Sequence, residues 1–536
     1  MLAKVEFAFP RKASGLVREL GWWSAFSISI SYTVGSGINY YAIRSTAWHP
    51  GSNIPLAFVI GALPMIFLAY IYTEMGIMMP RSGGDYIYIS RVLDPGVGFI
   101  ANWLYFVANN FATGLLAVIA SRAWGYVIHL AGIMTDNAGW IELGSKLMTP
   151  GMFQFGIAII IITIYTLLSL FGVRIFRWYV AAIVAFGFAA SFIAIGASFY
   201  AASRGTEFVK AAWDATYGAG AWEEIERVAA ENGWTYEEYV PWTWDATIGN
   251  FVDTFWAYWG ATAAVYVGGE MKSPKAGFIA GVFGCAIFLT FFYVLTLVSI
   301  LSAYTKAFVS QVCFVMELEN VSELLTVMEP LDPSLAVFTA PLAHNIPALA
   351  MLFAILPALW ITNCAGSTLL VGPRQPFAWA FDRFFPEIFC EVNETFHSPH
   401  YAVILTAIIA YIFVPIPIWG KGGLLIAMAD VTFIYIIRCL FGAITGVVLP
   451  YRKPDIWERG FKLTIAGIPL ISICGVIACF WWLWGLAISA WWLDFYGMAY
   501  LSFWFAVGAF IWFFFAEYNK RRGIPLESIY GVIPPA

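Results

Sequence analysis

The sequence predicts an all-α polytopic membrane protein with about twelve transmembrane helices. Three observations carry this. Hydrophobic residues make up 61% of 536 positions, charged residues only 11%, and the mean hydropathy is +0.76, well outside the soluble range. Apolar runs long enough to cross a bilayer recur along the whole chain. Basic residues divide unevenly between alternate connections, as the positive-inside rule requires.

The runs place spans at 20–44, 54–79, 96–130, 152–172, 177–202, 247–271, 276–304, 345–371, 400–418, 423–450, 463–490 and 496–517. Several exceed the ~20 residues that just cross the hydrocarbon core, which implies tilt or extension beyond it. Residues 1–19 lack the apolar core of a cleavable signal, so the first span is expected to act as an uncleaved one. The connections 203–246 and 305–344 are long and acidic, with Glu223, Glu224, Glu237 and Glu238 in one and Glu317, Glu323 and Asp332 in the other. Both are expected to carry short amphipathic helices lying over the membrane face. With the N-terminus inside, inner segments hold nineteen Lys and Arg and outer segments seven; Arg122 and Arg438 fall within spans. That predicts a multi-pass protein of the cell membrane with both termini cytoplasmic and the acidic connections outside. The seven Cys lie mostly in apolar segments, with no CxxC and no zinc spacing, and read as small buried hydrophobes. The lipid bilayer is the expected surrounding, and no nucleic-acid partner is expected.

Two spans carry breaks. In the first, Ser31-Tyr32-Thr33-Val34-Gly35-Ser36-Gly37-Ile38-Asn39 sets two glycines around a serine at mid-span. A break there frees amide N–H groups, which is tolerable only where protein or a cavity answers them. It also presents a half-helix N-terminus, a seat for a carboxylate; a small-residue packing patch is the other reading. The sixth span repeats the feature: Phe255-Trp256-Ala257-Tyr258-Trp259-Gly260-Ala261-Thr262 puts Gly260 near its middle, and the span closes with Gly268-Gly269-Glu270-Met271-Lys272-Ser273-Pro274. The breaks lie in spans one and six, so five spans separate their starting points, and an odd repeat length inverts the second copy. The predicted organisation is a core over 20–450, with inverted repeats at about 20–202 and 247–450. Two additional helices follow at 451–517, then a cytoplasmic tail at 518–536. A substrate then binds near the midplane between the broken spans.

Further blocks stand in order around the breaks: Tyr72-Thr73-Glu74-Met75-Gly76, Pro80-Arg81-Ser82-Gly83-Gly84-Asp85-Tyr86-Ile87-Tyr88, Arg91, Gly98-Phe99 and, more weakly, Arg374 to Pro386. With these blocks the chain resembles the amino acid–polyamine–organocation family of amino acid permeases over roughly residues 20–400. The resemblance implies the five-plus-five inverted repeat of the leucine-transporter-like fold, with two extra helices. It also implies a secondary active transporter moving amino acids by alternating access. A carrier of polyamines or other organic amines, an ion-conducting channel, and a substrate sensor on the same scaffold are the alternatives.

On that resemblance, Gly35, Ser36 and Gly37 would offer N–H groups and a hydroxyl to a substrate carboxylate, with Thr33, Phe255, Ala257, Tyr258 and Gly260 completing the site. The carbonyls of Ala257 and near Tyr32 are candidates for the substrate ammonium. Tyr258 and Trp259 either wall the side-chain pocket or pack as ordinary aromatics. Glu74 and Glu270, at the inner ends of spans two and six, are expected to pair with Arg81, Lys272, Arg174 or Arg177. Asp253 is expected to cap the outer half-helix, selection of a cationic substrate being the other reading. Arg122, Asp430 and Arg438 are unusual at their depths. An Arg122–Asp430 pair as gate or proton route stands against structural pairing or snorkelling.

Coupling departs from the family pattern. Proton-coupled members often place a lysine in the fifth span, where sodium-coupled relatives hold the ion; here the corresponding region is Ala185-Phe186-Gly187. Thr362, Asn363, Ser367 and Thr368 in span eight, with Tyr32 in span one, offer oxygens for a sodium ion; interhelical hydrogen bonding is their other reading. The coupling ion, H+ or Na+, stays open, and no other cofactor or metal is expected. A membrane redox enzyme would need paired axial histidines, and His49, His129, His344, His397 and His400 form no such pair within a span. Walker-type loops and repeated polar rings of a pore are not visible.

Overall fold

The computed structural model describes residues 9, 10, 13–420, 423–493 and 495–535, and only the backbone of residues 423–427, 429, 430 and 492. Ten helical segments among them are long and apolar enough to cross a membrane, from Ile54–Met78 to Phe495–Arg521. They fall on ten of the twelve expected spans. Spans one and six fall short because each is broken: their longest helices are Trp22–Thr33, of 12 residues, and Phe251–Tyr258, of 8, where about 20 are needed. The protein is an all-α polytopic membrane protein.

Pro95–Thr135 is the axis of the bundle. At 41 residues it runs about 60 Å, and its most apolar stretch is wholly buried. Pro347–Val371 packs on it and on the first span, and Val173–Arg204 packs on the first span and on Cys285–Val315. The last two spans lie outside this set. Leu470–Ser489 packs on Ile54–Met78 and Gly423–Arg452; Phe495–Arg521 packs on Pro95–Thr135 and is the most exposed span. Its Phe503, Phe510, Phe513 and Phe514 project outward, as lipid-facing residues do. The eleventh span starts at Leu470 rather than at 463. Thr464–Ile465 and Ile468–Pro469 form an antiparallel hairpin instead, turned by Ala466 and Gly467 at φ 50° and 80°, the geometry that two-residue hairpins favour.

Connections gather on two faces. A basic face holds residues 80–94, 372–399 and 451–469, tied together and to the tail where Arg452 Nη1 donates to the Leu93 carbonyl (2.9 Å) and Asn519 Nδ2 to that of Arg383 (2.9 Å). An acidic face holds 203–246 and 316–346. The amphipathic helices expected there exist, Thr206–Tyr217 and Ala221–Glu231, but their apolar sides lie on the bundle. Trp213 and Trp222 pack on Tyr304 and Phe308, which flank a kink at Thr305 (φ 63°). The Glu224 carboxylate accepts N–H bonds from Thr326, Val327 and Met328 and so joins the two acidic connections.

Candidate functional site

Helix Trp22–Thr33 stops at Val34 (φ −74°, ψ 84°), and the chain resumes as a π turn, Gly37–Tyr41, continuing into Ala42–Trp48. Such turns recur at functional sites. The second break differs from expectation, for no second half-helix follows it. After Tyr258 the chain passes through turns and two 3-10 pieces, Ala263–Tyr266 and Gly268–Glu270. Gly260, Gly268 and Gly269, interleaved with β-branched Thr262, Val265 and Val267, disfavour an α-helix there.

Glycine sets how closely the breaks approach. A Cβ on Gly37 would stand 2.4 Å from Ala257 Cα, and one on Gly260 2.4 Å from the Tyr32 ring. The contacts are reciprocal, so neither position has room for a side chain. Tyr293 ties the same pair, its hydroxyl 3.1 Å from the carbonyls of both Thr33 and Ala257.

Where the breaks meet lies a small cavity. Tyr32, Thr33, Gly35, Ser36 and Gly37 line it on one side, Trp256 and Trp259 on another, and Ala112, Leu116, Cys364 and Thr368 close it. The amides of Gly35, Ser36 and Gly37 meet no acceptor among the described residues. They stand at the N-terminus of the second half-helix, where free N–H groups and the helix dipole add. No charged side chain among the described residues lines the cavity. Trp256 Nε1 donates to Ser36 Oγ (2.9 Å), and the Cys364 thiol to the Tyr32 carbonyl (3.1 Å). The Tyr32 hydroxyl bonds Asn109 and lies 3.1 Å from that of Tyr105.

Of the residues predicted for the substrate, Thr33, Gly35, Ser36 and Gly37 line this cavity, while Ala257 and Gly260 bring the breaks together. Phe255 and Tyr258 do not reach it. Phe255 packs on Trp482 (5.4 Å between rings), and Tyr258 donates to the Phe58 carbonyl (3.2 Å). The lining aromatics are their neighbours Trp256 and Trp259. Of the oxygens considered for sodium, Tyr32 and Thr368 line the cavity. Asn363 Nδ2 donates to Ser31 Oγ (2.7 Å), leaving its Oδ1 and Ser367 Oγ buried without a partner among the described residues. Thr362 accepts from Trp124 Nε1 (3.0 Å) instead. At Gly187 a Cβ would meet the Trp360 ring at 2.4 Å, so that position has no room for a lysine.

Charged pairs close both ends. On the acidic side Arg44 bonds Asp332 and pairs with Glu317 (3.1 Å), Tyr40 donates to Asp332 (2.8 Å), and Arg122 lies 3.8 Å from Asp332. Arg122 therefore meets Asp332 in the second acidic connection; the side chain of Asp430 lies outside the described residues. Asp253 makes no cap hydrogen bond among the described residues: it faces His49 Nε2 at 3.3 Å and joins the acidic-face ends of the two broken spans. On the basic side stand three buried ion pairs. Glu270 takes Arg374 Nε and Nη2 at 3.0 Å each, Asp382 takes both Nη of Arg91 (2.6 and 2.8 Å), and Asp85 lies 3.4 Å from Arg438. The partner of Glu270 is thus Arg374 and none of the four cations expected. Glu74 meets no cation among the described residues and accepts from the Tyr70 hydroxyl. Arg438 lies over the rings of Tyr105 (4.4 Å) and Tyr435 (5.0 Å) and donates to Tyr266 Oη (3.1 Å) and Thr262 Oγ1 (3.2 Å). Tyr105 also stacks on Trp259, so one packed layer runs from the cavity to Arg438. The side chains that line the cavity are all buried.

Known proteins are similar over nearly the whole chain. A family model described as amino acid permease matches residues 20–493. The chain is 23% identical over 468 residues to the glutamate/serine transporter AimA of Bacillus subtilis (strain 168), covering 86% of this chain and 76% of that protein. It is 22% identical over 518 residues to the methylthioribose transporter of the same bacterium, covering 94% and 95%. Over 116 residues, 21% of each chain, it is 34% identical to the Asc-type amino acid transporter 1 of Homo sapiens. The match begins at the first span and carries through the eleventh, taking in both breaks, and on that ground the chain belongs to the amino acid permease family.

Proposed function

We propose that this chain carries small amino acids with uncharged side chains, by alternating access to the cavity between the breaks. The observation that carries the reading is the free amides of Gly35, Ser36 and Gly37, at a half-helix N-terminus, in a cavity that no charged side chain among the described residues lines. A carboxylate fits the amides. An ammonium fits the carbonyls of Tyr32 and Thr33, which here accept only a thiol and a phenol and keep a second lone pair each. The space beside Ala112, Leu116 and Cys364 suits a short side chain. Serine, in the name of one relative, is such a substrate. By the positive-inside rule the basic face is cytoplasmic and the acidic face outside.

The test is thermal unfolding of the purified protein with alanine, serine, cysteine, lysine, glutamate, putrescine and methylthioribose, each with and without sodium. The neutral amino acids should raise the midpoint and the charged ones should not. Stabilisation by lysine, putrescine or methylthioribose with none by alanine or serine would move the chain to another substrate class. Counterflow in vesicles separates a carrier from a channel or sensor, and uptake under an imposed sodium or proton gradient reads the coupling ion.

A further inference from the structure

A second pocket lies on the basic face, apart from the cavity between the breaks. Arg81, Arg91, Lys453 and Arg459 line it, and tail residues 530–533 form one wall. The one acid in the lining, Asp455, is exposed. Arg91 is committed to Asp382, though its Nε is buried without a partner among the described residues. Arg81, Lys453 and Arg459 have no carboxylate within ion-pair distance among the described residues. Arg81 donates only to the carbonyls of Pro534 and Pro80. Burial, and then the like charges of Arg18 and Arg459, hold its guanidinium below its usual range. Cations gathered half out of water without a counter-ion repel one another, and guanidinium forks match phosphate oxygens in shape and charge.

We propose that this pocket binds a phosphate group. The headgroup of an anionic phospholipid is the favoured source, because an apolar groove between spans three, ten and twelve begins nearby. Val97, Ile100, Leu104, Phe441 and Phe505 line the groove. Val97 lies one turn beyond Leu93, whose carbonyl accepts from Arg452, the neighbour of Lys453. Basic pockets beside apolar grooves at the cytoplasmic side are where such lipids bind. Occupancy also reaches the gate. Tyr530, in the pocket wall, lies under the Arg91 guanidinium (4.8 Å) and meets the Tyr86 hydroxyl (2.9 Å), which donates to Asp382 (2.7 Å). A phosphate held by Arg81, Lys453 and Arg459 would fasten the tail over the Arg91–Asp382 pair.

The test uses the full chain and the double variant Lys453→Gln with Arg459→Gln. Lys453 is partly exposed and Arg459 exposed, and neither holds an ion pair, so the double variant should keep the fold. Thermal unfolding is followed in phosphatidylcholine nanodiscs, in nanodiscs with increasing phosphatidylglycerol, and in phosphatidylcholine with added inorganic phosphate, all at matched ionic strength. Phosphatidylglycerol should raise the midpoint of the wild type, and the double variant should need roughly tenfold more of it. A rise with inorganic phosphate alone, lost in the double variant, would support the site with a free phosphate as its source. Equal responses of the two proteins to both probes, or no response of the wild type to either, would overturn the proposal.

Discussion

The hydrogen bond from Trp256 Nε1 to Ser36 Oγ (2.9 Å) holds the aromatic wall of the cavity against the first break. Trp256→Phe keeps a ring there and deletes the donor. A neutral hydrogen bond contributes about 1 kcal/mol, so substrate affinity should fall about fivefold with the unfolding midpoint nearly unchanged. Ser36→Ala added to it should cost little more. Calorimetric titration of the two single variants and the double variant checks this, and fully additive losses would show that the pair does not act as one. Glu270 behaves differently because its partner is buried with it. Glu270→Gln leaves the Arg374 charge uncompensated, a loss of about 3–5 kcal/mol, so the detergent-solubilised variant should unfold at a much lower temperature; Arg374→Met in the same chain should restore part of it. Much of the glycine pattern was readable from the chain, because a residue without a side chain marks where two backbones must touch: Gly37 and Gly260 do so. The partners of Arg122 and Glu270 were not. Asp332 and Arg374 are more than a hundred residues away from them, and a charge carries no local signal of what it will meet.

At the scale of elements, the break in span six was legible and its sequel was not. A short helix ending at Tyr258 gives too few turns for its period to fix which aromatics face inward, hence Trp256 in place of Phe255 and, of the two residues weighed as a wall, Trp259 and not Tyr258. The acidic helices are a similar case. Their amphipathic pattern was plain, but Trp213 and Trp222 find Phe308 only because the chain kinks at Thr305, which no local periodicity announces. The clamp that joins the two acidic connections can be tested through Glu224. Burial alone would raise its carboxyl, yet the Thr326 amide and hydroxyl and the amides of Val327 and Met328 hold it below the usual carboxylate range. A value lowered by folding means that the clamp stabilises fully above the unfolded pKa of about 4.3 and is lost as pH falls through the folded value. Amide exchange at Val327 and Met328, corrected for its intrinsic pH dependence, should therefore be protected near neutral pH and lose protection below about pH 4. Glu224→Gln should lack that protection at both. Protection that is the same in variant and wild type would mean that the carboxylate does not hold these amides.

For the molecule as a whole, two closures of different construction sit on either side of one cavity. The acidic-side closure is a single cluster around Asp332, which gathers Tyr40, Arg44 and Arg122. The basic-side closure distributes over three buried pairs and the tail. If alternating access works by loosening one while the other holds, each should be removable separately, and the protein carries its own reporter. Cys364 lines the cavity and is buried. Asp332→Asn weakens the acidic-side cluster, so Cys364 should react several times faster with a small membrane-impermeant thiol reagent supplied to that side of oriented vesicles, and no faster from the other. Asp382→Asn frees Arg91 and Tyr86 from their shared acceptor and should give the reverse. Six other cysteines are present, five of them buried and Cys479 partly exposed, so the labelled site is assigned by peptide mass spectrometry. A substrate that seats on Gly35, Ser36 and Gly37 should protect Cys364 in both variants, because the thiol and these amides line the same space. Labelling that rises from both sides in either variant would mean that the two closures open together, as in a channel, and alternating access would have to be given up.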